Sequence, residues 1–314
     1  EIMNITDHVS VMRAGKMVAH RETSKTNPEE LAELMIGRKV LLNIEKSSAK
    51  IGKPLLVVNN LEIHNEQGLK RVSEVSFEAR SGEILGIAGV TGNGQGTLLK
   101  ALAGILPLSK GSIEIMGETI TPKSQLNPEQ LRNLSVSHVP EDRQKMGMIA
   151  DFSASETALM GYHNDKKLNQ GIWLKRSLVK ANCESIMEAF DVRPNNPNLM
   201  SSNFSGGNQQ KLILAREFER DPEVLIIGQP TRGVDIGAIE FIRKRIIKMR
   251  DAGKAIVLIS VELEEIMSLS DRIIVMCDGE ITGTVNGADA DEATLGMMMA
   301  NALESQDELK GARA

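Results

Sequence analysis

The segment that decides the fold reads Asn203-Phe204-Ser205-Gly206-Gly207-Asn208-Gln209-Gln210-Lys211, and an apolar run typical of a helix, Leu212 to Glu217, follows it. A serine and two glycines at the start of a helix make an anion site. The first backbone N–H groups of a helix lack partners within it, and glycine lets a ligand approach them closely. A simple Ser-Gly-Gly helix cap is the alternative, and the motifs on either side decide against it.

A glycine-rich loop lies upstream of this segment. Residues 84–88 predict a buried strand and residues 98–103 predict a helix, and Gly89-Val90-Thr91-Gly92-Asn93-Gly94-Gln95-Gly96-Thr97 stands between them. Strand, glycine loop and helix are the context of a P-loop, in which backbone N–H groups hold phosphate oxygens. We therefore predict nucleotide contacts at Gly89, Gly92, Asn93, Gly94, Gln95, Gly96 and Thr97.

The chemistry of this loop departs from the P-loop pattern G-x-x-x-x-G-K-[ST]. Gly89 and Gly94 match it, but Gln95 stands at the lysine position and Gly96 at the position of the Mg²⁺-binding hydroxyl. Glutamine donates a neutral hydrogen bond, about half as strong as the charge-assisted bond of lysine. Thr97 is displaced by one position and is a poor substitute for the hydroxyl. The loop alone is almost as compatible with a plain glycine turn.

The segment at Ser205 resembles the L-S-G-G-Q signature of the ABC ATPases, with Phe204 for the first leucine and Asn208 for the last glutamine. The resemblance implies that Ser205, Gly206 and Gly207 cap the γ-phosphate of an ATP molecule held by an opposing domain. It also implies the fold class, an α/β P-loop NTPase of ABC type with a RecA-like parallel core, an antiparallel β subdomain and a helical subdomain.

The Walker B, Q-loop and switch motifs of the family occur in order but have lost their chemistry. After the apolar strand 224–227, Gly228 replaces the metal-shell aspartate and Gln229 replaces the catalytic glutamate. Glu141 replaces the Q-loop glutamine and is a further nucleotide contact by resemblance, and Val261 replaces the switch histidine. An amide cannot act as a general base, and glycine offers no metal ligand.

These losses all fall on one ATP site, whereas the retained motifs serve the other site. The signature is kept, and so is Asp235 of the D-loop, which in the family contacts the partner domain. We therefore predict no competent catalytic residue and no metal ligand in the chain's own site, with weak or absent binding of ATP and Mg²⁺ there. The signature is predicted to act in trans on an ATP molecule in an upstream domain.

An internal repeat at an offset of 264 residues supports a tandem protein, because Glu1-Ile2-Met3 recurs as Glu265-Ile266-Met267 and Val11-Met12 recurs as Val275-Met276. Self-similarity at a fixed period is typical of duplicated structural units. We predict four parts: residues 1–45, the remnant of an upstream nucleotide-binding domain; 46–54, a linker; 55–300, a second, degenerate domain; and 301–314, a disordered tail. For the linker, a surface loop within one domain is the alternative.

Composition and net charge limit the functions that the chain can have. The net charge of −5 gives no basic footprint for nucleic acid, and the distant Cys183 and Cys277 fit a reducing compartment. No apolar run approaches the roughly 20 residues of a membrane-spanning helix, so we expect membrane association through a partner. An amphipathic helix is predicted over 181–190, in the region of the helical subdomain, and a core or coupling-surface role is expected for Tyr162 and Trp173.

The motif set resembles the tandem ATPases that energise bacterial import of nucleosides and simple sugars, and the nucleoside branch most of all. That resemblance implies integral membrane permease subunits as partners, an extracytoplasmic substrate-binding protein acting indirectly, and a place on the cytoplasmic face of the membrane. A homodimer of this chain is a further assembly to test. Three alternatives stay open: a ribose- or galactose-type importer, a slow independent ATPase, and a non-transport ABC protein of ribosomes or DNA repair.

Overall fold

The computed structural model describes residues 2–13, 15–37, 46–65, 67–170 and 173–302, so most of the predicted tail at 301–314 lies outside it. The strands, in chain order, are β1 His8–Arg13, β2 Lys16–Glu22, β3 Pro54–His64, β4 Lys70–Arg80, β5 Glu83–Ala88, β6 Lys110–Ile115, β7 Glu118–Ile120, β8 Val136–Val139, β9 Asn169–Gln170, β10 Trp173–Leu174, β11 Val224–Gly228, β12 Ala255–Ile259, β13 Arg272–Cys277 and β14 Glu280–Asn286. The α-helices are α1 Ile2–Ile5, α2 Pro28–Ile36, α3 Gln95–Leu102, α4 Pro128–Asn133, α5 Ala154–Leu159, α6 Arg176–Ala189, α7 Gly206–Phe218, α8 Ile236–Asp251, α9 Leu263–Leu269 and α10 Glu292–Met299.

Six strands form the central sheet in the order β14-β13-β5-β12-β11-β8. The strands from β13 to β8 are parallel, and β14 is antiparallel to β13 at the edge. Every residue of β5, β11 and β12 is buried, as expected for parallel strands covered on both faces. Along β11, Leu225 and Ile227 pack into one core cluster, and Val224 and Ile226 pack into the other. The predicted parallel core is confirmed.

Two further layers complete the predicted fold class. An antiparallel sheet in the order β4-β3-β6-β7 packs on one side, and helices α5, α6 and α7 contact each other on the other side. Helix α6 confirms the predicted amphipathic helix, since its buried residues Val179, Cys183, Ile186 and Met187 follow helical spacing. These layers correspond to the antiparallel β subdomain and the helical subdomain that the sequence predicted.

Residues 2–37 repeat the end of the chain element by element. In the β1-β2 hairpin His8 pairs with Glu22, and in the β13-β14 hairpin Arg272 pairs with Asn286, which is the same pair moved by the offset of the sequence repeat. Both hairpins have a register shift at equivalent positions, and the helices α2 and α10 begin at equivalent positions. The sequence repeat is therefore also a structural repeat.

The two copies differ in what covers them. Strand β13 pairs with β5, whereas β1 pairs only with β2 among the described strands. As a result Met12 is 62% exposed, while its equivalent Met276 is fully buried at 0%. The β1-β2 hairpin thus presents an open strand edge and an uncovered apolar side chain.

Residues 46–53, which precede β3, carry no helix or strand and are tied to the main domain. Lys46 Nζ donates to the carbonyl oxygen of Leu269 at 3.1 Å. The buried Arg250 donates from Nη2 to the carbonyl oxygen of Ser47 at 2.9 Å and from Nη1 to Asp271 at 2.9 Å. At its other end the Gly52 N–H donates to the carbonyl oxygen of Ser81 at 2.8 Å. The segment is therefore anchored at both ends, and its role as a linker between two domains remains a prediction.

Candidate nucleotide site

A cavity of about 240 Å³ lies at the carboxyl ends of the parallel strands β5, β12, β11 and β8, where open α/β sheets bind ligands. Most of the residues predicted at this site line it: Gly92, Gly94, Gln95, Gly96, Thr97, Glu141, Gln229 and Val261. The sequence reasoning missed the remaining lining residues: Arg71, Thr91, Lys100, Arg232, Ile259 and Ser260. Residues far apart in the sequence are thus brought together as the motif order implied.

Two of the predicted nucleotide contacts shape the loop and do not line the cavity. Asn93 is buried and donates from Nδ2 to the carbonyl oxygen of Met276 at 3.2 Å, which fastens the loop to β13. Gly89 lies directly beneath the amide of Gln95, so that a Cβ at Gly89 would collide with it. Only a glycine allows the Gln95 side chain to fold across the loop.

Two buried amide atoms in the cavity wall have no hydrogen-bond partner within the described chain. They are Nε2 of Gln95 and Oε1 of Gln229, on side chains that are 4% and 5% exposed. Gln229 also adopts a left-handed backbone conformation, with φ at 49°, which is uncommon outside glycine. An unpaired buried amide atom costs roughly 1–3 kcal/mol, and a polar ligand in the cavity would satisfy these two atoms.

Glu141 fills the space that the missing metal-site side chains leave. A Cβ on Gly96 would lie 2.7 Å from Oε2 of Glu141, and a Cβ on Gly228 would lie 2.5 Å from its Cγ. Burial raises the pKa of the Glu141 carboxyl, and the charges of Lys100 and Arg232 partly oppose this rise. The two glycines and the glutamate therefore form one packed unit.

The donor set does not fit a divalent cation. Glu141 is the one carboxylate in the cavity lining, and the positions of the metal hydroxyl and the metal-shell aspartate hold Gly96 and Gly228. In the part of the chain that the structure describes, no group of three or more His, Cys, Asp or Glu side chains is arranged to hold a metal ion. No chemical step through a metal is therefore derived for this site.

The signature loop has the geometry of an anion site at a helix start. Ser205 is the N-cap of α7, and Asn208 Nδ2 donates to its Oγ at 2.9 Å. Phe204 is buried and anchors the turn, whereas the Ser205 side chain is exposed. Gly206 and Gly207 form the first turn of α7. None of these residues lines the cavity, so the loop and the cavity are separate sites on one chain.

The segments around the signature loop hold it in place. Asp235 caps α8 by accepting from the Ala238 N–H at 2.9 Å, and its Oδ2 would lie 2.9 Å from a Cβ on Gly207. Asp235 therefore packs against the signature of its own chain, and its contact with a partner domain remains a prediction. Arg143, which the sequence reasoning did not single out, donates from Nη1 to the carbonyl oxygen of Arg232 at 2.8 Å and lies beside Gly206.

Tyr162 and Trp173, the two aromatic residues singled out in the sequence, have different surroundings. The Tyr162 hydroxyl donates to Glu217 Oε2 at 2.6 Å, and the Arg220 guanidinium stacks 4.1 Å from the ring centre. Burial beside Glu217 raises the pKa of Tyr162. Trp173 is 75% exposed. Tyr162 thus belongs to the packed interior, and Trp173 lies on the surface.

Three features together define the nucleotide-binding cassette of ABC ATPases: a P-loop-shaped turn after β5 of a parallel sheet, a Walker B strand (β11) in the same sheet, and a Ser-Gly-Gly helix start in a helical layer. The chain belongs to the ABC transporter family, whose model matches residues 72–232, just over half of the sequence. Among the described helices, none has the length and apolarity to cross a membrane.

Several import ATP-binding proteins are similar in sequence to nearly the whole chain. Identity is 40% over 303 residues to the guanosine import ATP-binding protein NupO of Bacillus subtilis and 41% over 300 residues to the nucleoside import ATP-binding protein NupA of Lactococcus lactis. It is 39% over 301 residues to the glucose import ATP-binding protein TsgD13 of Haloferax volcanii. These matches cover 95–96% of this chain but only 54–59% of the relatives, so the chain spans little more than half of their length.

Solved structures support the fold. A nucleotide-free ATP-binding cassette from an ABC transporter superposes with a TM-score of 0.63 at 19% identity, covering 80% of this chain and 96% of that cassette. At this identity the likeness establishes the fold alone.

Proposed function

We propose that this chain is the second nucleotide-binding domain of the ATP-binding subunit of an ABC importer, active in ATP hydrolysis only when joined to an upstream domain. One observation carries the proposal. The signature loop keeps the geometry of a helix-start anion site, while the cavity of the same chain lacks the lysine of the P-loop pattern, the metal-site hydroxyl and aspartate, and the general base. The chain then contributes its signature to an ATP molecule held by the other domain.

The open edge of β1 supports an upstream partner domain. Its equivalent, β13, pairs with β5. Met12 is exposed on β1, whereas the equivalent Met276 is buried on β13. A strand of an upstream cassette, equivalent to β5, would cover Met12 and pair with the free edge of β1. Unpaired strand edges are otherwise a liability for aggregation.

The substrate we propose is a nucleoside, with simple sugars as the alternative. NupO and NupA are named for guanosine and nucleoside import, yet TsgD13, named for glucose import, has nearly the same identity. Substrate choice therefore rests on the motif resemblance rather than on percentage identity. The partners in this proposal are permease subunits that dock on the helical layer at the cytoplasmic face of the membrane, and a substrate-binding protein that acts through them.

The test compares ATP turnover by this chain alone with turnover by the chain joined to its upstream domain. We expect negligible turnover alone and clear turnover when joined. Appreciable turnover by the chain alone that Gln229→Ala abolishes would instead establish a slow independent ATPase. Co-purification with ribosomes rather than with integral membrane subunits would replace the importer proposal with a non-transport function.

A further inference from the structure

The charges around the cavity are unusual for a site that would take a metal–nucleotide complex. Three cationic side chains line it, Arg71, Lys100 and Arg232, against the single carboxylate of Glu141. Arg71 is held at the cavity mouth because its Nη2 donates to the carbonyl oxygen of Gly92 at 2.8 Å. Such a lining attracts phosphate groups directly and repels a free divalent cation.

Glu141 also fills the place of the cation by packing. Its carboxylate lies against Gly96, at the N-terminus of α3, and its Cγ lies against Gly228. Both positions must be glycine for this packing, since a Cβ at either would approach the glutamate within 2.7 Å. The side chains that would hold Mg²⁺ have thus been exchanged for a protein carboxylate.

We propose that this cavity binds the phosphate groups of a nucleotide without a divalent cation, with Arg71, Lys100 and Arg232 supplying the positive charge and Glu141 standing where the metal would be. The inference rests on the proposed function only in taking the cavity as a nucleotide site. The unpartnered Nε2 of Gln95 supplies a neutral donor for a phosphate oxygen in the same wall. No hydrolysis follows from such binding, because Gln229 cannot deprotonate water.

The experiment titrates the whole chain with ATP in EDTA and again in excess Mg²⁺, with binding followed by calorimetry. We expect ATP to bind at least as tightly in EDTA as in Mg²⁺, because side chains rather than the metal neutralise the phosphates and Mg²⁺ lowers the negative charge that attracts ATP to them. Binding that is more than about twofold tighter in Mg²⁺ would overturn the inference, since the metal would then contribute to binding. Undetectable binding in both buffers would overturn it as well.

Single substitutions separate the contributions of Lys100 and Glu141 to ATP binding. Lys100→Met should weaken ATP binding about tenfold in either buffer, because one cationic partner of the phosphates is lost. The matched control is Lys123→Met, which changes an exposed lysine outside the cavity. Glu141→Gln should tighten binding in EDTA because a like charge is removed. Weaker binding by Glu141→Gln in Mg²⁺ alone would contradict the inference.

A second readout uses Mn²⁺ as the probe. We expect the paramagnetic resonance signal of free Mn²⁺ in a mixture of the chain and ATP to be no lower than in ATP alone, because the chain binds ATP without the metal. A lower signal that depends on Glu141 would overturn the inference. These results are independent of the signature loop. Turnover by the two-domain protein can depend on Ser205 whether or not this cavity binds nucleotide, so the two proposals fail separately.

Discussion

Glu141, Gly96 and Gly228 make a three-residue contact, so a side chain at either glycine position would collide with the glutamate. The glutamate reaches both glycines from a different strand end, and its own backbone N lies 3.0 Å from the Cβ that Gly228 lacks. Leu99 lies 2.8 Å from the same point. A side chain at position 228 must therefore displace both the glutamate and the core.

A stability measurement tests this packing. Gly228→Ala should lower the free energy of unfolding by about 1–3 kcal/mol, the usual cost of overpacking a core. The matched control is Gly296→Ala in α10, where a Cβ meets nothing within 4 Å, and it should raise the unfolding free energy by about 0.5–1 kcal/mol. Urea denaturation of both variants checks the pair. Equal effects would contradict the packing described here.

A second prediction at this scale concerns His138 on β8. Burial lowers its pKa to about 4, the nearby Glu217 opposes this, and Arg132 and Arg216 add to it. The unfolded chain takes up a proton near the ordinary pKa of 6.5, which the folded chain does not take up until about pH 4. Stability from neutral His138 is therefore present above the unfolded pKa and is lost as the pH falls through this window.

The measurement is the pH dependence of the unfolding free energy between about pH 7 and about pH 5. The wild-type chain should lose more stability across this range than His138→Gln, which has no proton to gain. Parallel pH profiles for the two chains would show that His138 is not protected from protonation.

The departures from the family motifs could be predicted from the sequence, but the packing of the residues involved could not. The losses at Gln95, Gly96, Gly228 and Gln229 follow from motif positions alone. That Glu141 occupies the space left by two glycines could not be predicted, because the contact joins residues from three separate segments and depends on side-chain direction. Arg71 could not be predicted for a related reason, since it reaches the cavity from β4, outside every motif of the family.

At the scale of elements, the β1-β2 hairpin and the β13-β14 hairpin are the same unit in two environments. Their registers match pair by pair, yet of the two inner strands only β13 pairs with a second strand in the described part of the chain. The repeat was predictable from residue identities. The open edge was not, because it depends on which strand lies beside the hairpin.

Hydrogen exchange distinguishes the two environments. Backbone amides of β1 should exchange faster than those of β13 in this chain, because no described strand pairs with the outer edge of β1. Joining the upstream domain should slow exchange in β1 and leave β13 unchanged. If β1 exchanges at the same rate with and without that domain, the hairpin does not complete an upstream sheet.

The elements of the core were the most predictable part of the fold. The apolar runs of β5, β11 and β12 are short, branched and bounded by turn residues, and all three are buried strands of the parallel sheet. The five-residue π-helix at Arg143–Gly147 was not predicted. It directs Arg143 toward Arg232 and Gly206, and no periodicity of apolar residues marks such a turn.

At the scale of the whole molecule, the chain carries two candidate phosphate sites that lie apart. The cavity at the sheet edge is lined by the altered P-loop, and the signature loop stands at the start of α7. In the proposed tandem protein each site would face a different ATP molecule. One composite site would then hydrolyse ATP, and the other would bind it without hydrolysis.

ATP turnover by the two-domain protein tests this division most directly, measured with Ser205→Arg and with the control Ser202→Arg. Both serine side chains are exposed, so both arginines fit, but only the first blocks the anion site at the start of α7. We predict that Ser205→Arg lowers turnover by at least about tenfold while Ser202→Arg leaves it unchanged. Equal turnover by the two variants would contradict a signature that acts on the ATP molecule of the other domain.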